Sequence, residues 1–178
     1  MDRILVMGSP GSGKSTFARR LSDISGIPVV SLDALFWKPG WIECERGEFR
    51  ERVTDAARQP RWIMDGNYTS HLVELRRDAS DTVIWFDLPR STCMLGVLTR
   101  VATSYGRVRT EMAKGCPERV DPKFLRYVWT FREQQRPRLL VYFGEMRPDQ
   151  SLVCFTGRSQ ADRYLRDVVP RARAVGVH

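Results

Sequence analysis

Arg3-Ile4-Leu5-Val6-Met7 followed by Gly8-Ser9-Pro10-Gly11-Ser12-Gly13-Lys14-Ser15-Thr16-Phe17 decides how the rest of the chain is read. Four apolar residues in a row, stopped by a glycine, read as a short strand buried on both faces. Gly8 to Ser15 fits G-x-x-x-x-G-K-[ST] at every position. Lys14 to Ser25 then place Phe17, Ala18, Leu21 and Ile24 at helical spacing, with Gly26 and Pro28 to close the helix. Strand, glycine loop and helix in this order build an anion cradle, because the loop turns its N–H groups inward and the helix N-terminus adds partial positive charge. The pattern predicts that Gly8, Ser9, Pro10, Gly11, Ser12, Gly13, Lys14, Ser15 and Thr16 hold a nucleoside triphosphate, taken as ATP. Lys14 would reach the β- and γ-oxygens, and the Ser15 hydroxyl would ligate Mg²⁺.

Outward from the loop, short apolar runs alternate with helical patterns. Strands are predicted at Val29 to Leu32, Arg61 to Met64, Thr82 to Phe86 and Leu152 to Phe155. Glu43 to Gln59 read as an amphipathic helix with Phe49, Val53 and Ala56 on one face, and a polar helix-prone stretch surrounds Leu72 and Leu75. Ser91 can cap a helix to about Thr103, and Asp121-Pro122 can open another through Phe131 that Pro137 should break. Ser159-x-x-Asp162 resembles a capping box for a last helix. Alternating strands and helices predict an α/β domain with a parallel sheet covered on both faces.

The chain has 178 residues, enough for one ordinary domain with a real core. Its longest apolar run, Leu139 to Phe143, is too short to span a bilayer, and no secretion-signal pattern opens it. A cytoplasmic protein is expected, with Cys44, Cys93, Cys116 and Cys154 as reduced thiols and no structural metal. The 29 Lys and Arg outnumber the 21 Asp and Glu. The part up to Pro89 holds 12 basic and 13 acidic residues, and the rest holds 17 and 8, so the whole excess lies in the second part. Such an excess, mostly arginine, should face an anion.

The loop, Leu32-Asp33-Ala34-Leu35, Trp62 to Tyr68 and Val83 to Arg90 follow one another as in adenylate-kinase-like P-loop kinases. Leu35-Phe36-Trp37-Lys38-Pro39-Gly40-Trp41, Asp65-Gly66-Asn67-Tyr68 and Gly115-Cys116-Pro117-Glu118-Arg119 resemble more closely a bacterial group named DNA topology modulation protein. The resemblance runs over about residues 3 to 168. It implies a three-layer kinase fold, a five-stranded parallel sheet of order 2-3-1-4-5, and a lid over ATP at about residues 104 to 121.

It also implies roles. Asp65 would orient Mg²⁺ through water, an apt task for a carboxylate. Asp33 would engage the acceptor hydroxyl, or else cap a short helix. Arg100, Arg107 and Arg109 would lie on the ATP phosphates as catalytic lid residues, with Arg132, Arg136 and Arg138 contributing, or all would be a solvated basic surface. The loop around Arg158 would pack on adenine, and Asp87 is read as a turn or cap residue. Counting as in adenylate kinases, the two arginines that clamp the acceptor phosphate are replaced by Phe36 and Thr69. With Trp37, Trp41, Asn67 and Tyr68 beside them, this favours a flat, less charged acceptor.

Three readings follow. The leading one is Mg·ATP-dependent phosphoryl transfer to a small acceptor, a hydroxyl compound first and a nucleoside monophosphate second. The others are a nucleotide-dependent DNA-binding regulator, supported by the basic second part, and a protein with ATP as a structural ligand. No helix-turn-helix or zinc-finger pattern supports DNA recognition.

Overall fold

The protein is described by a computed structural model over residues 1–68 and 72–175, with side chains as far as residue 168. Strand β1 (Arg3–Gly8) is central because every residue after Arg3 is buried. Its side chains alternate: Ile4 and Val6 enter one apolar cluster, and Leu5 and Met7 enter another on the opposite face. Helix α1 (Lys14–Ser25) follows, ended by Gly26 in the left-handed region with φ 67°. Strand β2 (Val29–Ser31) leads into the short α2 (Leu32–Phe36), then a hairpin of β3 (Trp37–Lys38) and β4 (Ile42–Glu43), and α3 (Arg46–Arg58). The remaining elements are β5 (Trp62–Asp65), α4 (Val73–Ala79), β6 (Thr82–Phe86), α5 (Arg90–Ser104), α6 (Pro122–Gln134), α7 (Arg136–Gly144), β7 (Ser151–Phe155) and α8 (Arg158–Val175).

The main sheet runs β2-β5-β1-β6-β7, all parallel. Counting only its own strands, this is the expected order 2-3-1-4-5. The chain leaves β1 toward β2 on one side and returns to β6 on the other. A crevice therefore opens at the carboxyl ends of the strands, the usual ligand position in such sheets. Register sets what stands there: Val6 pairs with Asp65, Ser31 with Asp65, and Gly8 with Phe86.

Several local expectations change. Helix α3 begins at Arg46 rather than Glu43, because Lys38-Pro39-Gly40-Trp41 turns β3 onto β4, a hairpin too short to show as alternation. Pro89, not Ser91, occupies the N-cap of α5, and no side chain caps it. Ser159 and Asp162 do not form a capping box, since α8 already starts at Arg158 and Asp162 pairs with Arg20. Instead the Gln160 side chain accepts from the Thr156 N–H at 2.7 Å. Asp121 does cap α6, accepting from Lys123 N and Phe124 N, and the chain breaks before Pro137. Among the described residues no helix is long and apolar enough to cross a membrane.

Helix α5 lies against the back of the glycine loop. A Cβ built on Gly96 would sit 2.1 Å from the Gly11 carbonyl oxygen, and one on Gly11 would sit 2.1 Å from the Cys93 carbonyl oxygen. In Gly96→Ala, helix propensity alone would add about 1 kcal/mol. The overlap is backbone on backbone, with no flexible end to yield, so overpacking of about 1–3 kcal/mol is expected to win. Urea unfolding should therefore show Gly96→Ala less stable than the wild type; a more stable variant would show that α5 and the loop part freely.

Candidate active site

The glycine loop, the carboxyl ends of β2 and β5, the hairpin, and residues 105 to 121 surround one cleft of about 930 Å³. Pro10 to Thr16 line its floor. Gly13, with φ 103°, holds the N-cap of α1 in a conformation that L side chains disfavour, and Ser12 N donates back to the Ser9 carbonyl at 3.3 Å. Lys14 Nζ donates to the Ser9 carbonyl at 3.1 Å, spanning the loop. Gly8 and Ser9 do not line the cleft. They are the loop's footing: Asn67 Oδ1 accepts from Gly8 N and Asn67 Nδ2 donates to Gly8 O, both at 2.9 Å. Asn67, expected on the acceptor, lines the cleft and also holds the loop through its amide.

Asp65 is 6% exposed at the end of β5, and its Oδ1 has no hydrogen-bond partner; the buried Ser12 Oγ has none either. Burial pushes the Asp65 carboxyl above the ordinary carboxylate range, against the pull of the Lys14 charge and the Ser15 hydroxyl. Asp33 and Glu111 add to the upward push. Among the described residues no three His, Cys, Asp or Glu side chains could hold a metal by themselves. A bare carboxylate oxygen beside a serine hydroxyl and a phosphate cradle nevertheless fits Mg²⁺, which keeps waters and shares substrate phosphates.

Asp33 faces the cleft, and the cap of α2 is Ser31, whose Oγ accepts from Ala34 N at 3.3 Å. The Tyr68 hydroxyl donates to Asp33 Oδ1 at 2.8 Å, and burial with the nearby carboxylate raises the phenol far above its usual range. Tyr68 itself has φ 40°, an uncommon value for a bulky residue. Arg76 of α4, fully buried, holds this turn by donating to the carbonyls of Asn67 at 2.7 Å and Tyr68 at 3.0 Å. Burial lowers its guanidinium to about 10. Nothing in the periodicity around Leu72 and Leu75 marked it.

Trp37 and Trp41 line the cleft with their rings edge to face, centroids 5.4 Å apart. Phe36 does not line it. It packs edge-on against Phe49 in a separate apolar cluster with Leu32 and Val53, so its size serves the core. Trp41 also acts as a post: its Nε1 donates to the Pro117 carbonyl at 3.1 Å, and the Arg119 guanidinium lies 5.1 Å from its ring centroid. Thr69, the other clamp position, lies outside the described residues.

Of the arginines, Arg100 and Arg109 line the cleft and meet on Glu118. Arg107 does not; it is exposed, with its N–H and C=O spent on Ser104 and Glu118. Arg158 lines the cleft, yet its NH2 donates to the Gly11 carbonyl at 2.8 Å, bracing the loop. Arg138 also lines it, whereas Arg132 and Arg136 turn to Asp87 behind the loop. Arg136 Nε lies 3.0 Å from both Asp87 oxygens, so Asp87 is an ion-pair residue rather than a turn or cap. Glu118 and Glu111 were missed as residues of the cleft, although Glu118 stood inside a string already singled out.

No protein-family model matches the chain. It is 29% identical over 109 residues to an adenylate kinase of Kocuria rhizophila, covering 60% of this chain and 56% of that one. An adenylate kinase of Mycobacterium leprae is 35% identical over 92 residues, 50% of this chain and 49% of that one. The chain thus spans about half the length of the curated relatives it matches. Among solved structures, a shikimate kinase of Bacteroides thetaiotaomicron superposes with a TM-score of 0.56 and 13% identity, over 94% of this chain and 96% of that one. The chain is similar in sequence to adenylate kinases over 50–60% of its length and has a P-loop kinase fold.

Because the Asp65 carboxyl is raised in the folded state, the stability it contributes is present below its ordinary value of about 4 and is lost as pH rises through the raised one. Asp65→Asn should therefore melt higher than the wild type at pH 7 in metal-free buffer, by about 2–4 °C per kcal/mol relieved. The gain should vanish toward pH 4. Equal melting at pH 7 in scanning calorimetry would mean that the carboxylate is adequately solvated.

Proposed function

We propose that the chain is an ATP-dependent phosphotransferase that moves the γ-phosphate of ATP to a small acceptor, a hydroxyl compound in the first instance. The observation that carries this reading is that two carboxylates line one cleft beside the glycine loop. Asp65 stands bare beside Lys14 and Ser15, while Asp33 is aimed by Tyr68 next to an aromatic wall. The fold likeness and the partial similarity to adenylate kinases support the same chemistry. The chain forms one kinase domain, with residues 104 to 121 as the lid.

In this reading the loop N–H groups and Lys14 bind the β- and γ-phosphates, and Arg100 and Arg109 meet the charge that builds on the transferred group. Ser15 and Asp65 would hold Mg²⁺, which supplies charge neutralisation on the phosphate oxygens when bound. Asp33 accepts the hydroxyl proton, with Tyr68 fixing which carboxylate oxygen points away from the donor. Trp37, Trp41 and Tyr68 offer flat apolar surface to the acceptor, and Phe36 supplies no charge for an acceptor phosphate.

A nucleoside monophosphate as acceptor is the second reading. It is favoured by the adenylate kinase relatives and by Arg119 and Arg138, which bring cations to the cleft from outside the positions where the clamp was sought. The DNA-regulator reading is weaker than the charge count suggested, because Arg132 and Arg136 pair with Asp87, and Arg147 pairs with Asp149.

The test is transfer from Mg·ATP over a panel of nucleosides, nucleoside monophosphates and hydroxyl metabolites. Turnover is expected with an uncharged acceptor, absent in Lys14→Ala and reduced about 10²–10⁴-fold in Asp33→Asn. Turnover on monophosphates alone would select the second reading. Tight ATP binding with no transfer to any acceptor would overturn both.

A further inference from the structure

We infer that Glu118 is a positioning residue that holds Arg100 and Arg109 together on the phosphate side of the cleft. The inference rests on the phosphotransferase reading and adds to it a residue with no role so far. Glu118 Oε1 lies 3.1 Å from Arg100 NH2, and its Oε2 lies 2.8 Å from Arg109 Nε. Its side chain is 5% exposed, against 23% for Arg100 and 15% for Arg109. A carboxylate that buried is not a solvated surface partner.

The three residues come from different places. Arg100 stands on α5, one turn after the Gly96 that rests on the Gly11 carbonyl, so its base is fixed to the glycine loop. Arg109 and Glu118 belong to the excursion between α5 and α6. Glu118 is anchored there at both ends of its peptide: its N–H donates to the Arg107 carbonyl, and its carbonyl accepts from Gly106 N, each at 2.9 Å. The neighbouring Pro117 and Arg119 are tied to Trp41. Glu118 is therefore held by the acceptor wall on one side and holds two arginines on the other.

Two guanidiniums in one partly buried space repel; burial first, and then the Arg109 charge, weaken the hold of Arg100 on its proton. Glu118 offsets that repulsion, and Glu111 takes a second edge of Arg109 through NH1 at 2.9 Å. Each arginine keeps donors beyond these pairs; the Arg100 Nε is buried with no hydrogen-bond partner, and the Glu118 Oε2 contact with Arg109 is an ion pair without hydrogen-bond geometry. A terminal phosphate entering the cleft would find donors already gathered, whereas a diphosphate ending one phosphate short would not.

The experiment compares equilibrium binding of Mg·adenylyl imidodiphosphate, as a non-transferring triphosphate, and Mg·ADP to the full chain by titration calorimetry. No acceptor is required. The wild type should prefer the triphosphate. Glu118→Gln should cut that preference about tenfold while ADP affinity stays within about twofold, since only the terminal phosphate meets the arginines. Glu118→Asp, which keeps the charge with a shorter reach, should fall between the two and serves alone if Glu118→Gln does not fold. An equal loss for both nucleotides would mean a purely structural role, and an unchanged preference would mean that the arginines need no anchor; either overturns the inference alone. A wild type that binds neither nucleotide would overturn the phosphotransferase reading and this inference with it.

Discussion

A loop that offers its own N–H groups to an anion can spend few of them on itself, here Ser12 N to the Ser9 carbonyl at 3.3 Å, so side chains must help to hold it in shape. The glycine loop of this chain is braced in this way at several points. Asn67 takes both backbone groups of Gly8, Arg158 takes the Gly11 carbonyl, and Lys14 takes the Ser9 carbonyl. Beneath it, the absence of a side chain at Gly96 lets α5 approach the Gly11 backbone. Each brace comes from a different element, so the sheet order and the helix placement converge on one functional requirement. The cleft forms where β5, β1 and β6 end because that is where these braces can meet.

The same requirement creates an electrostatic cost. Asp65 must stand close to where phosphates sit, yet be too enclosed for water to satisfy it. Its carboxyl is pushed up by burial and pulled back chiefly by Lys14, an arrangement that favours a cation between the carboxylate and an incoming anion. A hydrophobic isostere would serve the fold better, so the residue reads as kept for chemistry at some expense of stability. Glu118 differs from it: a buried carboxylate hydrogen-bonded to Arg100 and ion-paired with Arg109, it offsets the repulsion between the two guanidiniums.

Much of this was legible in the sequence, for identifiable reasons. The parallel sheet followed from the glycine loop and from apolar runs too short to be helices, because such a sheet buries its strands on both faces, whereas the strand order came from the resemblance to P-loop kinases. Asp65 and Asp33 were found through the resemblance to P-loop kinases; Asp65 ends β5 and Asp33 follows β2 in α2. The reading failed where a residue's role depends on a partner far along the chain. Arg107 and Arg109 are two apart and indistinguishable by type, yet one faces solvent and the other the cleft. Phe36 and Trp37 are adjacent aromatics, but the turn from α2 into the hairpin sends one to the core and one to the cleft. Asn67 does line the cleft, but its two bonds to Gly8, 59 positions away, could not be read from the sequence. Arg76, buried among carbonyls, broke the expectation that arginines in a polar helix stay outside.

The hairpin that the sequence did not show ties these parts together. Gly40 N donates to the Gly115 carbonyl at 2.9 Å, Cys116 Sγ lies 3.2 Å from the Lys38 carbonyl, and Trp41 reaches Pro117. These contacts join the wall offered to the acceptor to the segment that carries Arg109 and Glu118. On the other side, Ser31 at the end of β2 donates to the Glu111 carbonyl at 2.7 Å, one residue before the helix that bears Asp33. A body that touches both the acceptor wall and the phosphate-facing arginines cannot shift at one without disturbing the other. Shape at the aromatic wall therefore bears on the placement of Arg109 and Glu118, and a change in the hairpin is felt in residues 105 to 121.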